Sequence, residues 1–199
     1  MKLCRVGEPG LEKPAIIDKD NKIRDLSTIV SDLNPKTLNF ETIDKINAIN
    51  LNDLKEINPD LRMGPCVGNP SKFLGIGLNF KDHALEQNLP IPDEPIIFSK
   101  FTNCVCGPND DIEIPKGSEH TDWEVELGFV IGKKAKYISE NEALKYVLGF
   151  FLVNDVSERN FQKKRGLTWD KGKGFDTFGP IGPYIPVSYT HLTLPTICS

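Results

Sequence analysis

Four short apolar runs constrain the fold of this chain more than any other feature of its sequence. They cover residues 73–78, 95–99, 125–131 and 147–153, and Gly, Pro or polar residues bound each of them. Apolar runs of four to eight residues between such breakers are typical of β-strands, because a helix usually needs ten or more residues. The chain after residue 70 is therefore predicted to be rich in strands.

The first 67 residues are predicted to form a small domain of their own. The segments Ala-Ile-Ile at 15–17 and Ile-Arg-Asp-Leu at 23–26 flank a polar turn at residues 18–21, which indicates a β-hairpin. Isoleucines at helical spacing predict a helix at about residues 40–47. Asn-Pro and Gly-Pro pairs at 58–59 and 64–65 then mark the end of this domain. We therefore expect a small N-terminal α+β domain followed by a larger domain at residues 68–187.

Two local features give finer predictions for the larger domain. Ser139 and Glu142 have the spacing of a capping box, which predicts a helix that continues through Tyr146. The run from Leu127 onward has no polar face, and this predicts a strand that is buried on both sides.

The end of the chain differs in composition from the rest. No Asp, Glu, Lys or Arg follows Asp176, although charged residues make up 26% of the sequence. A buried strand with its turns explains the lack of charge up to residue 187. Residues 188–199 have no such explanation, and we expect them to be a non-native tail that follows a truncated gene.

Charge and cysteine content exclude several classes of function. The net charge of −4 leaves no basic surplus to neutralise phosphates, so no nucleic-acid partner is expected. No apolar run approaches the roughly 20 residues of a membrane helix, and the polar start is no signal peptide. Five irregularly spaced cysteines do not indicate a disulfide framework. These features favour a cytoplasmic protein.

Three acidic residues form a candidate metal site. Glu124 and Glu126 are two apart at the start of a predicted strand, so their side chains share one face. Asp155 follows the next apolar run. Carboxylates placed side by side raise a pKa or hold a cation, and an all-oxygen ligand set suits Mg²⁺, Mn²⁺ or Ca²⁺. The alternative is a solvated strand face and an ordinary turn.

His83 and Glu86 form a second candidate pair. Residues three apart lie on one face of a helix, and a carboxylate that orients an imidazole makes a base able to activate water. An exposed helix pair without function is the alternative. Gly75 and Gly77 lie just before this helix, but the third glycine of a dinucleotide motif is missing.

Six motifs in order resemble the fumarylacetoacetate hydrolase family over about residues 1–187. They lie at residues 77–86, 95–100, 107–111, 122–127, 154–159 and 172–180. The resemblance implies an α+β fold, a mixed β-sandwich roll with a small N-terminal α+β module, in a protein that forms a homodimer. It is greatest to members named ureidoglycolate lyase or diketo-sugar-acid hydrolase. Family members continue further, so the resemblance also implies a chain truncated at its C-terminus.

The resemblance assigns roles to matched positions. The metal ligands fall on Glu124, Glu126 and Asp155, with Mg²⁺ as the expected ion. The remaining positions are the His83–Glu86 dyad, the oxyanion-stabilising Lys173 and the substrate-facing Gln162. Lys100 also lies in a matching motif, where it either binds the substrate or only supports the site. His120 and His191 match no motif and are expected at the surface.

The function implied by the resemblance is metal-dependent cleavage of a C–C or C–N bond in a small 2-oxo or 2,4-diketo acid. The reaction would pass through an enolate held at the metal. Three alternatives remain open: ureidoglycolate lyase activity that releases urea and glyoxylate, a metal-binding homologue without catalysis, and an inactive fragment.

Overall fold

The protein is described by a computed structural model that covers residues 1–187 except positions 87, 89 and 167, with the backbone alone at position 83. The predicted tail at 188–199, and His191 within it, lie outside the described residues. Contacts divide the chain into two compact units. Of the described residues, the first unit contains 1–68, 127–152 and 181–187, and the second contains 69–126 and 153–180. The chain first passes from the first unit to the second after residue 68, one residue beyond the predicted boundary. The first unit also includes two later segments, at 127–152 and 181–187.

Strands account for most of the regular structure. They are β1 (Lys2–Val6), β2 (Lys13–Ile17), β3 (Ile23–Asp25), β4 (Glu56–Ile57), β5 (Leu74–Gly77), β6 (Ile96–Ser99), β7 (Val105–Cys106), β8 (Thr121–Asp122), β9 (Val125–Ile131), β10 (Val147–Asn154), β11 (Ser157–Glu158), β12 (Gly179–Gly182) and β13 (Ile185–Pro186). All four predicted apolar runs are strands: β5, β6, β9 and β10.

The helices are short. They are α1 (Phe40–Asn47), α2 (Lys81–Glu86), α3 (Arg159–Lys164) and α4 (Asp170–Lys173), with 3₁₀ turns at Leu51–Asp53, Thr102–Cys104 and Glu140–Tyr146. The helix predicted at about residues 40–47 is confirmed. It begins after Asn39, whose side chain accepts a hydrogen bond from the Thr42 N–H.

The first unit contains a five-stranded sheet in the order β13–β1–β2–β3–β4. Each neighbouring pair is antiparallel, and the β2–β3 pair is the predicted hairpin. The apolar core beside this sheet includes Cys4, Val6, Ala15 and Ile23, all of which are buried.

The second unit contains smaller strand pairs. β5 and β6 form an antiparallel hairpin, β8 pairs with β11, and β7 runs parallel to the start of β12. β9 and β10, most of whose residues belong to the first unit, are neighbouring strands, and β9 lies at the edge of their sheet. Cys104, Val156 and Phe178 form the buried core next to these pairs.

The burial predicted for β9 is wrong. Leu127, Phe129 and Ile131 each expose 52% of their surface, and exposure alternates along the whole strand. The unbroken apolar run suggested two covered faces, but the described residues only partly cover the face that carries Leu127, Phe129 and Ile131, and a sheet can leave one face to solvent.

The predicted capping box is also wrong. Residues 140–146 form a 3₁₀ turn instead of an α-helix, and the Ser139 side chain makes no capping hydrogen bond. The backbone carbonyl of Ser139 accepts from the Glu142 N–H at 3.0 Å instead. A backbone turn therefore takes the place of the side-chain cap.

Four cysteines in the described residues are buried, reduced thiols: Cys4, Cys66, Cys104 and Cys106. Burial raises the pKa of the Cys4 thiol to about 12 and that of the Cys104 thiol to about 11. Along the described part of the chain, no helix has the length and apolar character needed to cross a membrane.

Candidate active site

The start of β9 and the end of β10 bring two acidic residues together. The Asp155 N–H donates to the Glu124 carbonyl at 2.9 Å, which places the two residues side by side. Glu124 and Glu126 are partly buried, whereas Trp123 and Val125 are exposed. The prediction that the two glutamates share one face of the strand is therefore confirmed.

The ammonium group of Lys173 lies between two of the predicted ligands. Its Nζ donates to Glu124 Oε2 at 2.7 Å, Asp155 Oδ2 at 2.6 Å and Ser157 Oγ at 2.8 Å. The side chain is 3% exposed. Since an ammonium has three N–H donors, these contacts use all of them.

A second lysine binds the other oxygen of Asp155. Lys100 Nζ donates to Asp155 Oδ1 at 2.6 Å, and both residues are buried. Burial alone would raise the pKa of Asp155, but the positive charges of Lys100 and Lys173 lower it below its usual value. Asp155 is therefore held as a carboxylate.

Glu126 is in a different electrostatic state. Burial, together with the negative charges of Glu124 and Asp155, raises its pKa, although a hydrogen bond with the Asn79 side chain opposes the shift. The carboxyl group of Glu126 thus lies where further negative charge is unfavourable. A cation at this place would relieve that repulsion.

Arg159 connects the acidic strand to helix α3. Its Nη2 lies 2.6 Å from Glu124 Oε1 and 2.7 Å from Asp122 Oδ2, and its Nη1 donates to Gln162 Oε1 at 3.1 Å. Burial would lower the pKa of Arg159, but Asp122 and Glu124 raise it. Gln162, a predicted substrate contact, is buried and oriented by this guanidinium.

The predicted dyad lies on α2. His83 is in this helix, as expected, three positions before Glu86, whose side chain is exposed. The interaction of the two side chains stays a prediction, since the His83 side chain lies outside the described atoms. His120 is exposed, as predicted.

Aromatic side chains line one side of the lysine. Lys173 Nζ lies 5.0 Å from the centre of the Phe98 ring, and Phe98 is 5.6 Å from Trp169. A Cβ at Gly77 would come within 2.0 Å of the Trp169 ring. Gly77 is therefore needed for the packing of this tryptophan, which gives the glycine a role other than phosphate binding.

The carboxylates of Glu124, Glu126 and Asp155 are ligands that suit a hard divalent cation, although they do not converge on a common metal position. Among the described side chains, no three His, Cys, Asp or Glu residues lie close enough together to hold a metal ion. The Lys173 ammonium lies between Glu124 and Asp155 instead. Three carboxylate side chains, one of them with a raised pKa, nevertheless fit Mg²⁺, Mn²⁺ or Ca²⁺ in their chemistry.

Sequence reasoning missed three polar residues of this group: Arg159, Ser157 and Asn79. Arg159 lies four residues after Asp155, within a motif already singled out, so its position was a usable signal. Ser157 and Asn79 also lie within motifs already singled out, at 154–159 and 77–86, but their partners Lys173 and Glu126 are distant in sequence.

Comparison with known proteins gives two kinds of match. Residues 72–193 match the family model described as fumarylacetoacetate (FAA) hydrolase C-terminal. A protein of Burkholderia cenocepacia and one of Burkholderia multivorans, each provisionally named as a hydrolase, are 55% identical over 185 residues. These matches cover 93% of this chain, and the chain spans 66% of the length of either relative.

Solved structures give the same result. A fumarylacetoacetate hydrolase from Exiguobacterium antarcticum has a TM-score of 0.76 at 25% identity, and the match covers 94% of this chain and 66% of that one. A 5-carboxymethyl-2-hydroxymuconate delta-isomerase from Mycobacterium smegmatis has a TM-score of 0.70 at 27% identity, covering 96% and 67%. These likenesses confirm the predicted α+β fold class.

Proposed function

The chain belongs to the fumarylacetoacetate hydrolase family, and we propose from this premise that it is a divalent-metal-dependent hydrolase or lyase. Its substrate would be a small 2-oxo or 2,4-diketo acid, in which it would cleave a C–C or C–N bond. The observation that carries the proposal is the pairing of Glu124 and Asp155 with Lys173 inside the second unit. The carboxylates of this group can bind a hard divalent cation, and the Lys173 ammonium can bind an oxygen of an acidic substrate.

Glu124, Glu126 and Asp155 would hold Mg²⁺, with Mn²⁺ or Ca²⁺ as the alternatives. A cation held there would supply a Lewis acid close to the developing negative charge. Lys173 could then donate to a substrate oxygen in place of the Glu124 oxygen. Phe98 and Trp169 would exclude water from that side of the ammonium.

The proposed hydrolysis begins at α2. His83, oriented by Glu86, would take a proton from water as the hydroxide adds to the second carbonyl carbon of the substrate. Lys173 and Gln162 would stabilise the resulting oxyanion. The C–C bond then breaks, and its electron pair stays with the 2-oxo fragment as an enolate. The proton held by His83 passes to that carbon and completes the products.

The test is turnover by the purified 199-residue chain with and without Mg²⁺. Oxaloacetate and an acylpyruvate test cleavage of a C–C bond, and ureidoglycolate tests cleavage of a C–N bond. We expect cleavage of at least one of them with Mg²⁺ and its loss with EDTA. Thermal stabilisation by Mg²⁺ without turnover would favour a metal-binding protein without catalysis. The absence of both effects would overturn the proposal.

A further inference from the structure

Lys100 is the most enclosed charged side chain of the candidate site. It follows β6, exposes 2% of its surface, and its Nζ makes three hydrogen bonds. The acceptors are Asp155 Oδ1 at 2.6 Å, the Lys173 carbonyl at 2.6 Å and the Val156 carbonyl at 3.3 Å. The three N–H donors of the ammonium are therefore all used within the protein.

We propose that Lys100 is a positioning residue, which fixes one oxygen of Asp155 and the last turn of α4, and that it does not contact the substrate. This inference rests on the proposed function of the site. It decides between the two roles, substrate contact and support of the site, that the family resemblance left open for Lys100.

The two lysines differ in the kind of acceptor that they use. Lys173 binds side-chain oxygens of Glu124, Asp155 and Ser157, which can rotate or exchange partners. Two of the three acceptors of Lys100 are backbone carbonyls, and these cannot leave without unfolding the segment. Lys173 is thus suited to bind a substrate, whereas Lys100 is suited to keep Asp155 and α4 in position.

The neighbours of Lys100 support the same role. The Ser99 N–H donates to Asp170 Oδ1 at 2.8 Å, at the start of α4. Phe101 packs against Gly174 so closely that a Cβ there would come within 2.5 Å of its ring. Three consecutive residues therefore contact α4 or the residue that follows it, and Lys100 is the central one.

The first arm of the experiment separates positioning from substrate contact. Lys100→Met removes the donors at similar volume, Lys100→Arg keeps the charge, and Lys116→Met serves as an exposed control. With Mg²⁺ and oxaloacetate or an acylpyruvate, we expect kcat of both Lys100 variants to fall roughly 10- to 100-fold. KM should change less than about twofold from wild type, because no substrate contact is lost. A tenfold or larger rise in KM at unchanged kcat would overturn the inference.

The second arm does not depend on turnover. Amide hydrogen exchange at residues 170–174 reports how firmly α4 is held. We expect Lys100→Met to accelerate this exchange at least tenfold, and Lys116→Met to leave it unchanged. If Lys100→Met does not fold, Lys100→Arg takes its place in this comparison. A wild type without turnover would count against the proposed function, while unchanged exchange in the Lys100 variants would count against the role of Lys100.

Discussion

Each compact unit contains a cluster of charged side chains that is largely buried, and the two clusters are built differently. The N-terminal ionic cluster consists of Arg5, Glu12, Asp32 and Arg62. The site cluster consists of Lys100, Asp122, Glu124, Glu126, Asp155, Arg159 and Lys173. The first has two cations and two carboxylates, whereas the second has three cations and four carboxylates.

The balance of cations and carboxylates distinguishes a structural cluster from a candidate active site. Arg5 binds both oxygens of Asp32 in a fork, at 2.7 and 3.2 Å, and Arg62 completes the pairing with Glu12. The charges there are matched. In the site cluster Glu126 keeps a raised pKa, so one carboxyl group still favours a further cation. The surplus of acid, more than burial itself, distinguishes the candidate site.

The largest expected effect contrasts one glutamate from each cluster. Glu126→Gln should reduce Mg²⁺-dependent turnover to background and leave the thermal midpoint at or above that of wild type, since it removes like-charge repulsion. Glu12→Gln should leave turnover near that of wild type and lower the thermal midpoint by several degrees. A loss of about 1 kcal/mol corresponds to 2–4 °C in a chain of this size. Turnover assays and thermal melts on both variants provide the measurement. Full turnover by Glu126→Gln would remove the proposed ligand role.

The next effect concerns the matched cluster alone. Arg5→Met should lower the free energy of unfolding by about 3–5 kcal/mol, because it leaves the partly buried Asp32 without its cation and leaves Glu12 with Arg62 alone. Lys45→Met breaks the exposed pair with Glu41 and should cost no more than about 0.5 kcal/mol. Urea denaturation of both variants measures the contrast. A loss below 1 kcal/mol for Arg5→Met would show that the N-terminal cluster is not structural.

A smaller effect should depend on pH. Glu158 is buried and accepts the N–H groups of Glu119, His120 and Phe161. Burial would raise its pKa, but these hydrogen bonds lower it below the ordinary value. Its carboxylate therefore stabilises the fold above the ordinary pKa of about 4.3, and this contribution is lost as the pH falls through the lower pKa of the folded state.

Glu158→Gln should accordingly cost about 1.5–3 kcal/mol at pH 7, because an amide has one accepting oxygen where the carboxylate has two. The difference from wild type should shrink below pH 4. Denaturation series at several pH values follow this change. A loss that is equal at pH 7 and pH 3 would exclude the charge as its cause.

The smallest effect is expected on the exposed face of β9. Leu127→Thr should change the free energy of unfolding by less than about 0.5 kcal/mol, since the side chain is half exposed. Leu148→Ala, at a buried position of β10, should cost about 2–5 kcal/mol. Equal losses in the two variants would show that the β9 face is covered in solution.

Local sequence was enough to predict the main elements and the shared face of Glu124 and Glu126, because strand alternation is a property of adjacent residues. It was not enough for the pairings of Lys100, which reach 55 residues to Asp155 and 73 residues to Lys173. The burial of Leu127 was mispredicted for the same reason. An apolar run shows that a strand can be covered, but its neighbours in the fold decide whether it is.

The buried thiols allow the rate of local unfolding to be measured separately in each unit. Thiolate is the reactive form of cysteine, and the raised pKa values of Cys4 and Cys104 keep both thiols protonated near neutral pH. Pulsed alkylation should therefore label each cysteine only while its surroundings are open. Peptide mass spectrometry can then compare Cys4 in the first unit with Cys104 in the second, in the wild-type chain and without an added probe.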